Sequence, residues 1–387
     1  MKTLYLHIGT PKTATSSIQK FCWINQEELH KYNYCFPILP QVSDAIVLRR
    51  NAHFLISPPK QSKYGSQAKK RVHARIEEGL ATLHEALCTY DNLILSDESI
   101  WRAVNYNWEN PLEILKKDAE EHGYELRVIV YLRRQDAFAS SNWNQRVKKT
   151  GHTDSFDQYL NMTLTLYPLI LDYGASLDII RDIVGQDHIT VRRFEPETWV
   201  NHSIYSDFLD AIHMDPDTPL TIPDDVNPGL KGNATEIQRL LNADTVLSSE
   251  DHLYLASYIK ELSVYSGQNY PCNPMSVDEI QTLLARFEDS NKHVAEAYIG
   301  DGKPLFSEVV KDIPKWTDNN PQMWKDLVIL FSSVTMDLYR ENQKLQEKIS
   351  SMDGKYVRKS SFVSFKDKLK HPFRTLWRRI FRKADKT

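Results

Sequence analysis

The chain has 387 residues, of which 41% are hydrophobic and 26% charged. That balance excludes wholesale disorder, and the length allows one large domain or two ordinary ones with a sizeable core. Four cysteines, Cys22, Cys35, Cys88 and Cys272, stand far apart without a CxxC pair, which argues against a disulfide framework or a zinc knuckle and suits a reducing compartment. No apolar run approaches a membrane span, and the N-terminal MKTLYLHIG reads as a strand, not as a signal peptide. The expectation is therefore a cytoplasmic protein.

Four short apolar runs read as buried strands: Leu4–Ile8, Leu93–Leu95, Val128–Leu132 and Ile189–Arg193. The first passes at once into a helical pattern with Ile18, Phe21, Cys22 and Leu29, and the third into a helix opening at Arg134-Gln135-Asp136. Strand-then-helix units predict an α/β fold with a mainly parallel central sheet and helices on its faces. Ligands in such sheets sit beyond the carboxyl ends of the strands, which gathers Gly9–Ser17, Ser96–Glu98 and Arg133–Ser141 around one crevice.

Residues 40–85, with two proline-bearing stretches and the polar run Gln61–Arg71, read as an insertion or mobile loop within a domain spanning 1–320. Ser206 to Lys315 reads as mostly helical, broken at Thr218–Gly232 by prolines and glycines. Residues 325–352 form a long predicted helix with Phe331, Leu338, Leu345 and Met352 seven apart. Val334, Glu341 and Lys348 fill the alternate seam positions, so the helix either packs on the body or forms a weak homodimer seam.

The stretch LHIGTPKTATSSIQ, residues 6–19, carries the strongest local signal. A strand ends at Gly9, a short loop presents Lys12, and hydroxyl residues lead into a helix. Unpaired amides and the positive dipole end of a helix N-terminus, with a lysine beside them, suit a phosphate or sulfate group. The Walker A pattern GxxxxGK[ST] is absent, since Lys12 follows Gly9 by three residues with no glycine next to it. Instead Pro11-Lys12-Thr13-Ala14-Thr15-Ser16-Ser17 resembles the 5′-phosphosulfate loop of sulfotransferases that use 3′-phosphoadenosine-5′-phosphosulfate (PAPS), commonly PKTGTTS. Ala14 replaces the usual glycine, so the backbone there is either right-handed or somewhat strained.

The family also holds the cofactor's 3′-phosphate with a strand-end Arg and a Ser eight residues later, matched here by Arg133 and Ser141; Arg134 and Ser140 are their confusable neighbours. An Arg fork and a helix hydroxyl grip a phosphate from two sides. Weaker likenesses to the bacterial, carbohydrate-type branch are LILSDES (93–99), LDYGASLDIIRDIVGQDHITVRRFEP (171–196) and DVNPGLKGNATE (225–236). The resemblance covers roughly residues 3–240. It implies PAPS as donor, no metal, Lys12 in catalysis, and Pro11–Ser17 with Arg133 and Ser141 as cofactor contacts.

An acceptor-side base should be a glutamate or histidine. Glu98, just past a strand end, and His53, in Asn51-Ala52-His53-Phe54, are the candidates; Glu27 and Glu28 read as a solvent-facing pair. Among 13 histidines no HxxxH or HxE spacing predicts a metal.

From Lys355 to Thr387 there are 12 Lys/Arg against 2 Asp, whereas the rest of the chain holds 36 basic and 49 acidic side chains, a net −13. Phe373, Leu376, Trp377, Ile380 and Phe381 share one helical face, ringed by Arg374, Arg378, Arg379, Arg382 and Lys383. This pattern predicts a helix lying on an anionic membrane surface and gives no support to a nucleic-acid partner, for which an apolar face has no use. The reading is thus a sulfotransferase peripherally attached to the inner face of the cell membrane, acting on a hydroxyl of a glycan or glycolipid. The competing readings are a P-loop-like sugar or lipid kinase and a non-catalytic membrane-associated scaffold.

Overall fold

The computed structural model describes residues 2–39, 49–63, 65–224 and 229–351. The basic tail at 355–387 and parts of the two segments at 40–85 and 225–236 lie outside them. Five strands form one all-parallel sheet: β1 (Thr3–His7), β2 (Tyr34–Cys35), β3 (Asn92–Ser96), β4 (Glu125–Leu132) and β5 (Ile189–Arg193), in the order β2-β3-β1-β4-β5. Leu6 sits between Leu95 and Val128 in the ladders, so β1 takes the centre.

Alternate residues of each strand face opposite sides. Leu4, Leu6, Leu93, Leu95, Val128, Val130 and Leu132 enter one core layer, and Tyr5, Ile94, Ile129 and Tyr131 the other. Burial on both faces explains why the strands read as unbroken apolar runs. The first layer is closed by α3 (Ser66–Thr89), α4 (Ser99–Tyr106), α5 (Pro111–His122) and α8 (Tyr173–Val184); the second by α1 (Thr15–Ile24), α2 (Gln26–Lys31) and α9 (Ile204–Ala211). Beyond the carboxyl end of β4, α6 (Gln135–Thr150) and α7 (Phe156–Leu166) build a third cluster with α12 (Val277–Ala285), next to α13 (Glu288–Val294). A fourth cluster joins α10 (Ala234–Asn242), α11 (Ser249–Asn269) and α14 (Gln322–Ser351).

One reading needs correction in detail. Within the stretch 40–85 read as an insertion or mobile loop, residues 66–85 belong to the 24-residue helix α3, which buries Val72, Ile76, Leu83 and Leu87 at helical spacing. Its polar first turns hid the period. In α14 the body-facing residues are Leu327, Leu330 and Val334, whereas the seven-residue repeat Phe331, Leu338 and Leu345 is exposed, together with Trp324 and Val328. The helix therefore does pack on the body, but through the neighbouring stripe. Among the described residues no helix is long and apolar enough to cross a membrane.

Candidate functional site

The loop between β1 and α1 is held from within. Thr10 donates its amide to Tyr131 O at 2.8 Å, and the buried hydroxyls of Thr13 and Thr15 both donate back to Thr10 O, at 2.5 and 3.5 Å. These two threonines brace the loop, leaving Pro11, Ser16 and Ser17 at its surface. Lys12 and Ala14 adopt left-handed backbone, with φ of 71° and 58°. Of the two options for Ala14, the strained one holds, at a cost of about 1–2 kcal/mol for an L-residue. Gly9, at φ 95°, has a separate reason to lack a side chain. A Cβ there would stand 3.0 Å from Pro11 N and 3.1 Å from Glu98 Cβ.

Glu98 is therefore packed directly against the loop, and the segment beyond β3 is fixed from several sides. Buried Asp97 accepts from Arg50 Nη2 at 2.5 Å and faces His53 Nδ1 at 2.8 Å. Burial opposes its ionisation, but the His53 hydrogen bond and the Arg50 charge prevail and hold its carboxyl below the usual range. Glu98 accepts from Gln19 Nε2 at 3.2 Å and lies 3.8 Å from Arg50 Nε. Burial, then the charge of Asp97, raises its pKa above the ordinary carboxylate value, which suits a group that must take up a proton. The turn carrying His53 is pinned by Arg75, which donates to Phe54 O and Ile56 O, and by Asn51, which donates to Ile94 O and accepts from Ser96 N. Gly79 lets α3 close on it, since a Cβ there would overlap the Phe54 ring at 2.1 Å.

The end of β4 meets the same loop. Arg133 Nη1 donates to Lys12 O at 3.0 Å, and Tyr173 Oη donates to Arg133 O at 2.6 Å. Arg134 is committed elsewhere: it forks onto Asp136 at 2.8 and 2.9 Å and donates to Ser307 O and Val309 O. Ser140 donates to Asp136 O. Lys12 Nζ donates to Gln145 Oε1 at 2.6 Å, and burial, followed by the charges of Arg133, Lys149 and Lys148, lowers its pKa to about 8.

Beside these groups opens a cavity of about 1040 Å³, lined among others by Arg133, Ser141, Trp143, Asn144, Lys231 and Lys315. Asn144 locks its rim, donating to Leu230 O and accepting from Leu230 N at 2.7 and 2.9 Å. The structure thus packs Glu98, with the Arg50–Asp97–His53 group behind it, against the Lys12 loop, which Arg133 also contacts, while Arg133 and Ser141 line the neighbouring cavity. Arg50, Gln19, Gln145 and Lys231 were missed in the sequence. Gln19 lay within the quoted loop and Lys231 within the 225–236 segment, but nothing local pointed to Arg50 or Gln145.

No family model matches the chain. A protein of Archaeoglobus fulgidus described as uncharacterised is 25% identical over 174 residues, 45% of this chain and 46% of that protein. The chain thus spans about half the length of that relative. The crystal structure of a sulfotransferase from Alicyclobacillus acidocaldarius aligns with 59% of this chain and 87% of its own, at 14% identity and a TM-score of 0.35.

Proposed function

We propose that this protein is a sulfotransferase that moves a sulfuryl group from PAPS to a hydroxyl of a glycan or glycolipid. The observation that carries the reading is the meeting of two anion clamps: the Lys12 loop and the Arg133 strand end, in direct hydrogen bond at 3.0 Å, with a nucleotide-sized cavity beside them. Lys12 and the first turn of α1 would take the 5′-phosphosulfate, and Arg133 with Ser141 the 3′-phosphate. Lys231 lines the same cavity as Arg133 and Ser141.

In the transfer, the bond from sulfur to the donor's phosphate oxygen breaks as a bond to the acceptor oxygen forms. Negative charge grows on the leaving phosphate, where Lys12 and the helix-end amides stabilise it. Glu98 accepts the acceptor's proton, while Gln19 and Arg50 hold its carboxylate in place. His53, held by Asp97, is the second candidate for that role. The leaving group is a phosphate that is stable as an anion, so the reaction chemistry calls for no metal.

The membrane face enters through the sequence of residues 355–387, whose surplus positive charge and aromatic face fit an anionic leaflet. A glycan or glycolipid assembled there is the acceptor class this location favours. The test is thermal denaturation with PAP, ATP or ADP added separately. A cofactor site stabilises by RT ln(1 + [L]/Kd), so PAP should raise the melting temperature and ATP should not. Equal stabilisation by ATP and PAP would favour the kinase, and none by any nucleotide the scaffold.

A further inference from the structure

At the other end of the sheet, by the amino ends of the strands, where α3 leads into β3 and α5 into β4, three donor side chains converge. His84 Nε2 lies 3.0 Å from both carboxylate oxygens of Asp118, and His122 Nδ1, one turn along α5, lies 3.4 Å from Asp118 Oδ1. One donor atom from each of the three residues falls within 4.8 Å of the others. The two imidazoles stack with ring centroids 3.8 Å apart. Asp118 is only 7% exposed, and Tyr124 Oη donates to its Oδ2 at 2.7 Å.

We propose that His84, Asp118 and His122 bind a divalent transition-metal ion of the zinc type. Two imidazoles and a carboxylate are the donors such ions prefer over magnesium. Bonds of about 2.0–2.1 Å in a tetrahedron set neighbouring donors about 3.3 Å apart, close to the separations around Asp118. His84 and His122, 30% and 45% exposed, have room to turn onto the ion and leave a fourth position to water. On binding, the proton between His84 Nε2 and Asp118, and that which His122 Nδ1 holds toward Asp118 O at 3.1 Å, pass to the other ring nitrogens or to solvent. Tyr124 already supplies the outer hydrogen bond that orients a ligating carboxylate. No pairing within one helix reveals the set, because the second imidazole comes from α3. Bridging α3 to α5, the ion would tie together the chain entries to β3 and β4, the two strands that flank β1, and so act on stability.

The test uses the full chain freed of metal with EDTA. Calorimetric titration with Zn²⁺ should show one saturable equivalent, Co²⁺ should give visible d–d absorption, and excess Mg²⁺ should displace neither. Zn²⁺ should also raise the melting temperature. His84→Ala and His122→Ala should each abolish the equivalent and the thermal shift; Tyr124→Phe should weaken binding by about 10–100-fold. If an alanine variant does not fold, His84→Gln takes its place. Persistence of the equivalent in these variants, or no saturable binding up to millimolar Zn²⁺, would overturn the proposal. Neither outcome depends on which nucleotide the crevice takes.

Discussion

Raising the pH should weaken PAP binding earlier than an ordinary lysine would allow. The Lys12 ammonium is partly buried and faces Arg133, Lys148 and Lys149, which places its pKa at about 8 instead of 10.5. Its charge is therefore present below pH 8 and lost above it. A bound phosphate, already largely dianionic above pH 7, restores the protonated form, so the free protein must take up a proton to bind. At pH 9.5 only about 3% of the free protein would carry the charge, a loss of about 30-fold in affinity, or ~2 kcal/mol. A lysine at its ordinary value would lose about 10%. The assay is PAP titration by calorimetry from pH 6.5 to 9.5, with Lys12→Arg as control, because a guanidinium stays charged throughout. A wild-type affinity that does not change between pH 7 and 9.5, or an equal decline in Lys12→Arg, would refute the reasoning.

Glu98→Gln should leave PAP affinity within a few-fold of wild type and lower turnover by about 10²–10⁴, the worth of a general base. Should His53→Ala show that pattern while Glu98→Gln stays active, the base is His53. Truncation after Gly354 should keep the PAP-induced thermal shift and lose sedimentation with anionic vesicles, which high salt should also reverse in the full chain. A full-length protein that ignores such vesicles would remove the membrane from the picture.

The parts of the site that could be read from the sequence are those whose chemistry is contiguous. The β1 loop and the β4–α6 junction each carry a clamp within a dozen residues, and burial of the strands on both faces leaves an apolar run for each. Strand β2 escaped because two residues cannot show a period. Arg50 and Gln145 escaped for another reason. Each reaches its partner across 47 and 133 residues of chain, to Asp97 and Lys12, and neither is flanked by a pattern of its own. Helix α3 was legible in principle, since Val72, Ile76, Leu83 and Leu87 share a face, but the polar run Gln61–Arg71 pointed to a loop. The sequence matched Arg133 and Ser141 and left Arg134 and Ser140 as confusable neighbours; the contacts of Arg134 with Asp136 and two carbonyls now set the two arginines apart.

Asp97 accepts from Arg50, His53 and the Ser99 amide while shielded from water. Removing it strands a guanidinium and frees an imidazole; removing either partner leaves a carboxylate short of compensation in a dry place. Effects at residues 50, 53 and 97 are therefore non-additive, and single substitutions there count one shared loss several times over. A double-mutant cycle on Arg50 and His53, read by thermal stability, measures the coupling that the two share through Asp97.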